Sequence, residues 1–555
     1  MILLDLFNRK LTEINRLKQE NALAVSNKTL LSHAEAFIMR KSIQQDLMGV
    51  IHLGSEQAGI QIVEHRGLQD IKVIDKAFRA VTLGEETFKT GKISFGTLSA
   101  ICSLLKGYRR MLSEYGVRDY RLVATTAIRE AQNQRYIMDQ IQVKTGFKVE
   151  VINMPQEIFY KYCALFKLMQ ENKLTDQKKV LLFVDVSSGG LGFTLYHDGQ
   201  ILYQQNIHIG ALRIKESFGK NQRESIHFHQ ALAEYIFSTI EPVRAAISKH
   251  KIQYLVLSGN ESNLVLTMLG RNPAETLTFI DAEEFNSLYN KLHYLNIPYL
   301  MNAFGLPEAR AEIVLPTIML YQQIMSLTEI GQIVVPNTSF LDGVTIHHIA
   351  EKTHDPYMNV MDEQIVSLAY ALGRKYSYDA QHAQAVSDRS LLLFDHLRKV
   401  HGLGKRERFL LKITGIVHDI GKYINLRTHY FHSYRLILSS DIFGFSEEEK
   451  SVMANVACYH SKGIPSEADA NFRVLTEEQK ILVSKLIAII RLSDALDRSH
   501  CQKLHNVTLA CKGDELIITY DGVEDTALEE WTFLDKAQFF EEVFGIQAIL
   551  QRRGR

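Results

Sequence analysis

The chain lacks the features of an exported, membrane-spanning or nucleic-acid-coating protein. Its five cysteines, Cys102, Cys163, Cys458, Cys501 and Cys511, are scattered, odd in number and without metal-ligand spacing. That excludes a disulfide framework and fits a reduced, cytoplasmic setting. An excess of one charge is missing as well: 63 Lys plus Arg balance 63 Asp plus Glu, which leaves room for a local basic groove but not for a whole-molecule field toward nucleic acid. No apolar run approaches the about 18 residues that a membrane helix requires, and no basic-apolar-small export pattern opens the chain. The expectation is a cytoplasmic protein with neither nucleic acid nor membrane as partner. What is present suffices for ordinary cores: 555 residues, 46% hydrophobic and 23% charged, a length that suits about three or four domains.

The organising stretch is Val180 to Ile207, VLLFVDVSSGGLGFTLYHDGQILYQQNI. An apolar run meets Asp185, a small-residue turn follows at Ser187, Ser188, Gly189 and Gly190, and β-rich residues resume at Phe193. This reads as strand, tight turn, strand, with an Asp-Gly hairpin at Asp198-Gly199 leading to a third strand. Glycines let successive backbone N–H groups point into one concavity, and a carboxylate at the strand end can hold a divalent cation beside a phosphate. An ordinary Gly-rich hairpin with a solvated Asp reads the same way. A second copy lies at Met48 to Val73, where an apolar run meets His52, then Gly54 and Ser55, then a strand, a turn at Arg66-Gly67 and another strand. Two such hairpins, roughly 130 residues apart, point to a duplicated α/β domain around a shared cleft.

Residues 1 to 46 read as an amphipathic helical extension, with Leu4, Phe7, Leu11, Ile14 and Leu17 at helical spacing. In Val123 to Asn133 a strand runs into a Thr-rich turn and a helix, which can present hydroxyls and amides to a phosphate or simply cap the helix. Glu157 heads a helix with a buried face of Phe159, Tyr162, Cys163 and Phe166, between the two hairpins. Beyond about His348 the chemistry changes. His382, the pair His418-Asp419, His429 and His432 in RTHYFHSY, His460 and Asp494 lie on successive predicted helices. Imidazole and carboxylate ligands so ordered can converge on one or two divalent metals, and they suit Mn²⁺, Fe²⁺ or Zn²⁺ more than Mg²⁺.

From about Met48 to Arg555 the chain resembles the exopolyphosphatase and guanosine pentaphosphate phosphohydrolase family, in the long form with a C-terminal HD-type domain. The family's D-x-G-S-N-S is similar to His52 through Gln57, and its A-T-x-A-x-R-x-A-x-N to Ala124, Thr125, Ala127, Arg129, Ala131 and Asn133. Its E-V-I segment and later Glu are matched by Glu150, Val151, Ile152 and Glu157, and its D-I-G-G-G-S-T-E loop by Asp185 through Gly192. Ile209 to Arg213, Ser258-Gly259 and Arg310 to Glu312 resemble its remaining landmarks.

The resemblance implies an α/β fold of duplicated actin-like (ribonuclease H-like) domains at 47–175 and 176–350, an all-α HD domain at 351–502 and a small α+β module at 503–555. It implies Glu157 as catalytic base with Asp185 beside it, and phosphate held by Gly54, Ser55, Thr125, Arg129, Ser187, Ser188, Gly189 and Gly190 with Mg²⁺. In the HD domain it implies metal at His382, His418, Asp419 and Asp494, extended by His432 and His460; Lys422 and Arg491, basic residues close by in the chain, are candidate charge partners. Inorganic polyphosphate or guanosine penta- or tetraphosphate would be the substrate and a homodimer the assembly, with Arg109, Arg110, Arg121, Arg129, Arg213 and Lys215 as a basic path. The departures matter: the family's first-hairpin Asp is His52 here, and the Ser and final Glu of its second loop fall on Gly190 and Gly192. Phosphoryl transfer rests on positioning and charge neutralisation, so the loss should cost orders of magnitude in rate. Two classes stay open: a hydrolase of terminal phosphates, and a phosphate-polymer or alarmone binder with or without metal-dependent hydrolysis in the HD domain.

Overall fold

Each hairpin seeds a sheet of the same plan. A computed structural model describes residues 46–553 apart from 177, 224, 293–294 and 523–524, so the expected N-terminal helix lies outside the described residues. In the first half, β1 (Asp46–Leu53), β2 (Gln57–His65) and β3 (Ile71–Ala80) form an antiparallel meander, and β4 (Asp119–Ala124) and β5 (Glu150–Val151) add parallel strands in the order β3-β2-β1-β4-β5. In the second, β6 (Val180–Val186), β7 (Leu191–His197) and β8 (Gln200–Ile207) repeat the meander, followed by β9 (Ile252–Ser258), β10 (Leu277–Asp281) and β11 (Ile330–Pro336), in the order β10-β11-β9-β6-β7-β8. The central strands explain their own sequence. Every residue of VLLFVDV is buried because β6 is flanked by ladders on both edges and covered on both faces.

Register makes the duplication specific. His52 pairs with Gly59 on β2 and with Val123 on β4, while Asp185 pairs with Gly192 on β7 and with Ser258 on β9. His52 therefore holds in the first half the place that Asp185 holds in the second.

The helix Met154–Glu171 joins the halves. Its start is written in the sequence: Asn153 accepts from the Gln156 amide at 2.8 Å, Gln156 bonds back to the Asn153 amide at 3.2 Å, and Pro155 fits the first turn. The Asn153 amide group also donates to Phe445 O at 2.9 Å and Glu447 Oε1 at 2.8 Å, tying this end to the helical region. Along its length it packs on Phe340–Thr353, close enough that a side chain at Gly343 would overlap Tyr160 O. From Tyr357 to Ala495 the chain is helical, and one apolar core runs from Val50 through Phe166 to Phe443 and Phe540. The chain closes with β12 (His505–Lys512), β13 (Glu515–Asp521) and β14 (Gln547–Arg552) against the helix Ala527–Phe544.

Candidate functional site

Between the sheets lies a cavity of ≈ 510 Å³ lined by His52, Gly54, Ser55, Thr125, Glu157, Lys161, Asp185, Ser187, Ser188, Gly189 and Glu261, among others. Glu157 stands in the first turn of Met154–Glu171 and Asp185 near the end of β6. Between them is a side chain that the sequence reading passed over. Lys161 Nζ lies 2.7 Å from Asp185 Oδ2 and 3.3 Å from Glu157 Oε1, one helical turn beyond Glu157. The other oxygens are also occupied: Ser258 donates to Asp185 Oδ1 at 2.8 Å, and Arg129 Nη1 lies 3.4 Å from Glu157 Oε2. Burial would raise the Glu157 carboxyl, but Lys161 and Arg129 outweigh it and hold it below the usual carboxylate value. Burial likewise opposes the Lys161 charge, and Asp185 and Glu157 outweigh it, so the ammonium is held well above its ordinary value.

The hairpin turns use several of their own donors. Gly54 N donates to Gln57 O at 3.0 Å, Ser187 N to Gly190 O at 2.9 Å and Gly190 N to Ser187 Oγ at 3.2 Å. Ser188 Oγ reaches across the cleft to the Glu56 carboxylate and joins the two halves. Arg129, expected on phosphate, instead sits beneath Glu157 and donates to Ile152 O at 2.9 Å and Thr126 Oγ1 at 3.0 Å. Gly190 is not at the cavity either: a Cβ there would overlap Met154 Cε, and one at Gly192 would overlap Ile158 Cδ1. Hydrocarbon from the helix thus fills the volume that two polar side chains would need. His52 Nε2 is 3.1 Å from the Thr125 hydroxyl, and burial pulls its pKa down to about 4, so the ring is neutral. Glu261 is a second group the sequence did not reveal. Buried beside Glu56, its carboxyl is pushed up to about 8, by burial first and the Glu56 charge next, and Oε1 has no hydrogen-bond partner.

A second cluster lies among the helices. His382 Nε2 is 3.3 Å from Asp494 Oδ1 and 3.7 Å from Asp419 Oδ2, with His418 Nε2 3.6 Å from that same Asp419 oxygen. On the other side, His429 Nε2 and His460 Nε2 lie 3.4 and 3.3 Å from Asp419 Oδ1. Each imidazole is oriented from behind: Nδ1 bonds Asp497 Oδ2 at 2.9 Å in His382, Gly415 O at 2.8 Å in His418, Leu426 O at 3.0 Å in His429 and Ala457 O at 2.6 Å in His460. Those oxygens can only accept, so Nδ1 carries the proton and Nε2 turns its other valence to the centre. Asp419 thereby offers one oxygen to each of two histidine pairs.

His429, and not His432, is the residue that faces Asp419. His429, Ser433 and Ile437 form the buried face of the helix His429–Leu438, and His432 falls off that stripe. Arg491 acts on the centre only at a distance, through the charge of Asp494, and makes no ion pair with it: Nη1 donates to the carbonyls of Tyr459, Ser461 and Gly463 at 2.9, 3.3 and 2.7 Å, clamping the turn after His460. Lys422 pairs with Asp419 from the solvent side.

The donor set fits a transition metal. His382 Nε2, His418 Nε2 and Asp419 Oδ1 are buried without a hydrogen-bond partner, a costly state that a shared cation relieves. Burial opposes charge on His382, yet Asp494 and Asp497 outweigh it and push it up to about 9, while at His418 burial dominates and pulls the ring down to about 3. The carboxylates here thus draw a cation inward. The cleft is different. A hard divalent ion wants free oxygen donors, and those of Glu157 and Asp185 are committed to Lys161, Arg129 and Ser258. The residues present do not fit a metal between these two carboxylates.

Comparison with known proteins places the chain. The model of the Ppx/GppA phosphatase family matches residues 61–351, and that of Ppx/GppA phosphatase, domain III, matches residues 367–536. The chain belongs to the Ppx/GppA phosphatase family. Its two halves have the actin-like fold of that family. The guanosine-5'-triphosphate,3'-diphosphate pyrophosphatases of Vibrio vulnificus (strain YJ016) and Aeromonas salmonicida (strain A449) are each 21% identical to it, over 87% and 85% of this chain and 93% and 92% of theirs. A crystal structure of an exopolyphosphatase from Cytophaga hutchinsonii is 21% identical, covers 55% of this chain and 98% of that one, and superposes with a TM-score of 0.49. Ppx/GppA enzymes generally depend on divalent metals, which makes the lysine in this cleft the more notable.

Proposed function

We propose that this Ppx/GppA protein removes terminal phosphate from inorganic polyphosphate or guanosine pentaphosphate, with the cleft as substrate site and Glu157 as the base that takes a proton from water. One observation carries it: Glu157, Asp185 and the tips of both hairpins converge on one cavity in a fold built by duplication. The names of the relatives, a guanosine-5'-triphosphate,3'-diphosphate pyrophosphatase and an exopolyphosphatase, supply the substrate classes. Glu157 is held deprotonated by Lys161 and Arg129, and Ser55, Ser187, Ser188 and Gly189 bring both hairpin turns to the cavity wall. Mg²⁺, expected here on the resemblance, has no place between Glu157 and Asp185, whose oxygens are held by Lys161, Arg129 and Ser258. Turnover is slow, because each absent electrostatic group costs on the order of 10²-fold. Phosphate release from long-chain polyphosphate tests this: Glu157→Gln should lower it at least about 10²-fold, and an undiminished rate sinks the assignment.

A second reading rests on the His/Asp centre. The helices from 351 to 502 are an HD-type domain that holds Mn²⁺, Fe²⁺ or Zn²⁺ through His382, His418, Asp419 and Asp494, with His460 and His429 around the other Asp419 oxygen. A metal there supplies a Lewis acid for phosphoester hydrolysis. The protein chain fixes the ligand tautomers, excludes bulk water and brings Lys422 to the mouth. Elemental analysis of protein purified without chelator should find the metal, and Asp419→Ala should lose it while Glu157-dependent phosphate release persists. A wild-type protein free of metal after Mn²⁺ loading refutes this centre. In this proposal the actin-like halves span 47–175 and 176–350, a small module spans 503–555, and the protein works in the cytoplasm as a homodimer.

A further inference from the structure

We infer that Lys161 is the resident cation of the cleft: its ammonium takes the place of a divalent metal between Glu157 and Asp185, so that a phosphate chain binds there without one. The inference rests on the reading of the cleft as a phosphate-chain site and says how that site is charged. Geometry comes first. Nζ lies within 2.7 Å of Asp185 and 3.3 Å of Glu157, and its side chain is 14% exposed, so it is sealed into the cleft floor and does not merely swing across it. All four carboxylate oxygens have partners, the remaining two being Ser258 and Arg129.

Charge comes second. Glu157 and Asp185 are balanced by Lys161 and Arg129, and this floor is neutral with no ion added. A divalent cation inserted there would leave an excess of two positive charges in a buried place, and withdrawing the lysine would leave one carboxylate charge uncompensated; either is strongly unfavourable. The two departures at the strand ends agree. His52, in the register position equivalent to Asp185, contributes a neutral ring paired with Thr125, and the space above Gly192 is filled by Ile158. The floor lacks the acids that a metal would need and carries the cation that makes one unnecessary. An ammonium has three protons. Two go to Asp185 and Glu157, and the third is left for a phosphate oxygen at the cavity that Lys161 lines. The lysine at the HD-type centre is no parallel: Lys422 touches one carboxylate oxygen and is 30% exposed, and the Asp419 it pairs with stands among imidazoles that can bind metal.

The test is calorimetric titration of the full chain with sodium tripolyphosphate, once in EDTA and once in excess Mg²⁺. Wild type should bind equally in both, within about twofold, whereas Lys161→Met should lose at least about tenfold in EDTA and recover in Mg²⁺ as the freed carboxylates take the ion. Wild-type binding that appears only with Mg²⁺, or Lys161→Met binding undiminished in EDTA, overturns the role of Lys161 and leaves the cleft reading standing. No wild-type binding under either condition overturns both. The wild-type comparison requires no variant, so the inference is tested even if Lys161→Met does not fold.

Discussion

At the scale of single residues, the cleft and the helical centre solve the same difficulty in opposite ways. Buried carboxylates need a compensating charge. Glu157 and Asp185 receive it from Lys161 on the same helix as Glu157, while Asp419 and Asp494 are surrounded by imidazole nitrogens that become strong donors only toward a metal. Glu261 is the exception, a carboxyl with a neighbour of like charge in Glu56, pushed up to about 8. A raised acid favours the fold below its unfolded value, and this contribution is lost as pH rises from about 4.5 through about 8. Unfolding followed between pH 6 and 9 should therefore show stability falling by up to about 1.4 kcal/mol per pH unit from this group, and Glu261→Gln should flatten the slope. An identical slope in the variant would show that Glu261 titrates normally.

At the scale of elements, the helix Met154–Glu171 does most of the work. It carries Glu157 and Lys161 on one turn, fills the Gly190 and Gly192 positions with Met154 and Ile158, and is pinned at its start by Asn153. Asn153 has two separable duties, the cap through Oδ1 and the bonds to Phe445 and Glu447 through Nδ2. Asn153→Ala removes both and should cost about 1–2 kcal/mol from the cap alone. Asn153→Asp keeps the cap but brings a second carboxylate to Glu447, so it should loosen the docking of the helical region while leaving the helix intact. Hydrogen exchange separates the two: enhanced exchange near Phe445 in both variants, and in the first turn of Met154–Glu171 only in Asn153→Ala.

At the scale of the whole molecule, the expected basic path is dispersed. Arg110 pairs with Glu114, Arg121 with Glu150, Arg129 with Glu157, Arg213 with Glu130 and Lys215 with Glu312, and Arg109 lies over the Phe147 ring. None of these six lines the cavity. A polyanion in the cavity meets only Lys161 and Lys76, the latter paired with Asp342, and so releases few counterions. Raising salt from about 50 to 200 mM should then weaken polyphosphate binding by at most about tenfold, against several hundredfold for a path of six free cations. A steep salt dependence, read by titration at several ionic strengths, would place the chain on a basic surface outside this cleft.

The sequence by itself determined the duplicated strand-turn-strand units, the helix that Glu157 heads and the ordered His and Asp ligands. Those are local: short apolar runs rich in β-branched residues and ending in Gly and Ser turns read as buried strands with tight reversals, and a set of imidazoles and carboxylates is chemically distinct wherever it falls. Tertiary structure alone decided which partner each charge found. Lys161 reads in the chain as an ordinary partner of Glu157 four residues on, and only the crossing of its helix with β6 puts Asp185 on its other side. His429 and His432 are indistinguishable by residue type, and helix phase against Ser433 and Ile437 selects the first. Glu261, Asp497, Arg121, Arg129 and Arg213 were hidden for the same reason. Their partners are distant in sequence, and packing, not local pattern, brings them within reach.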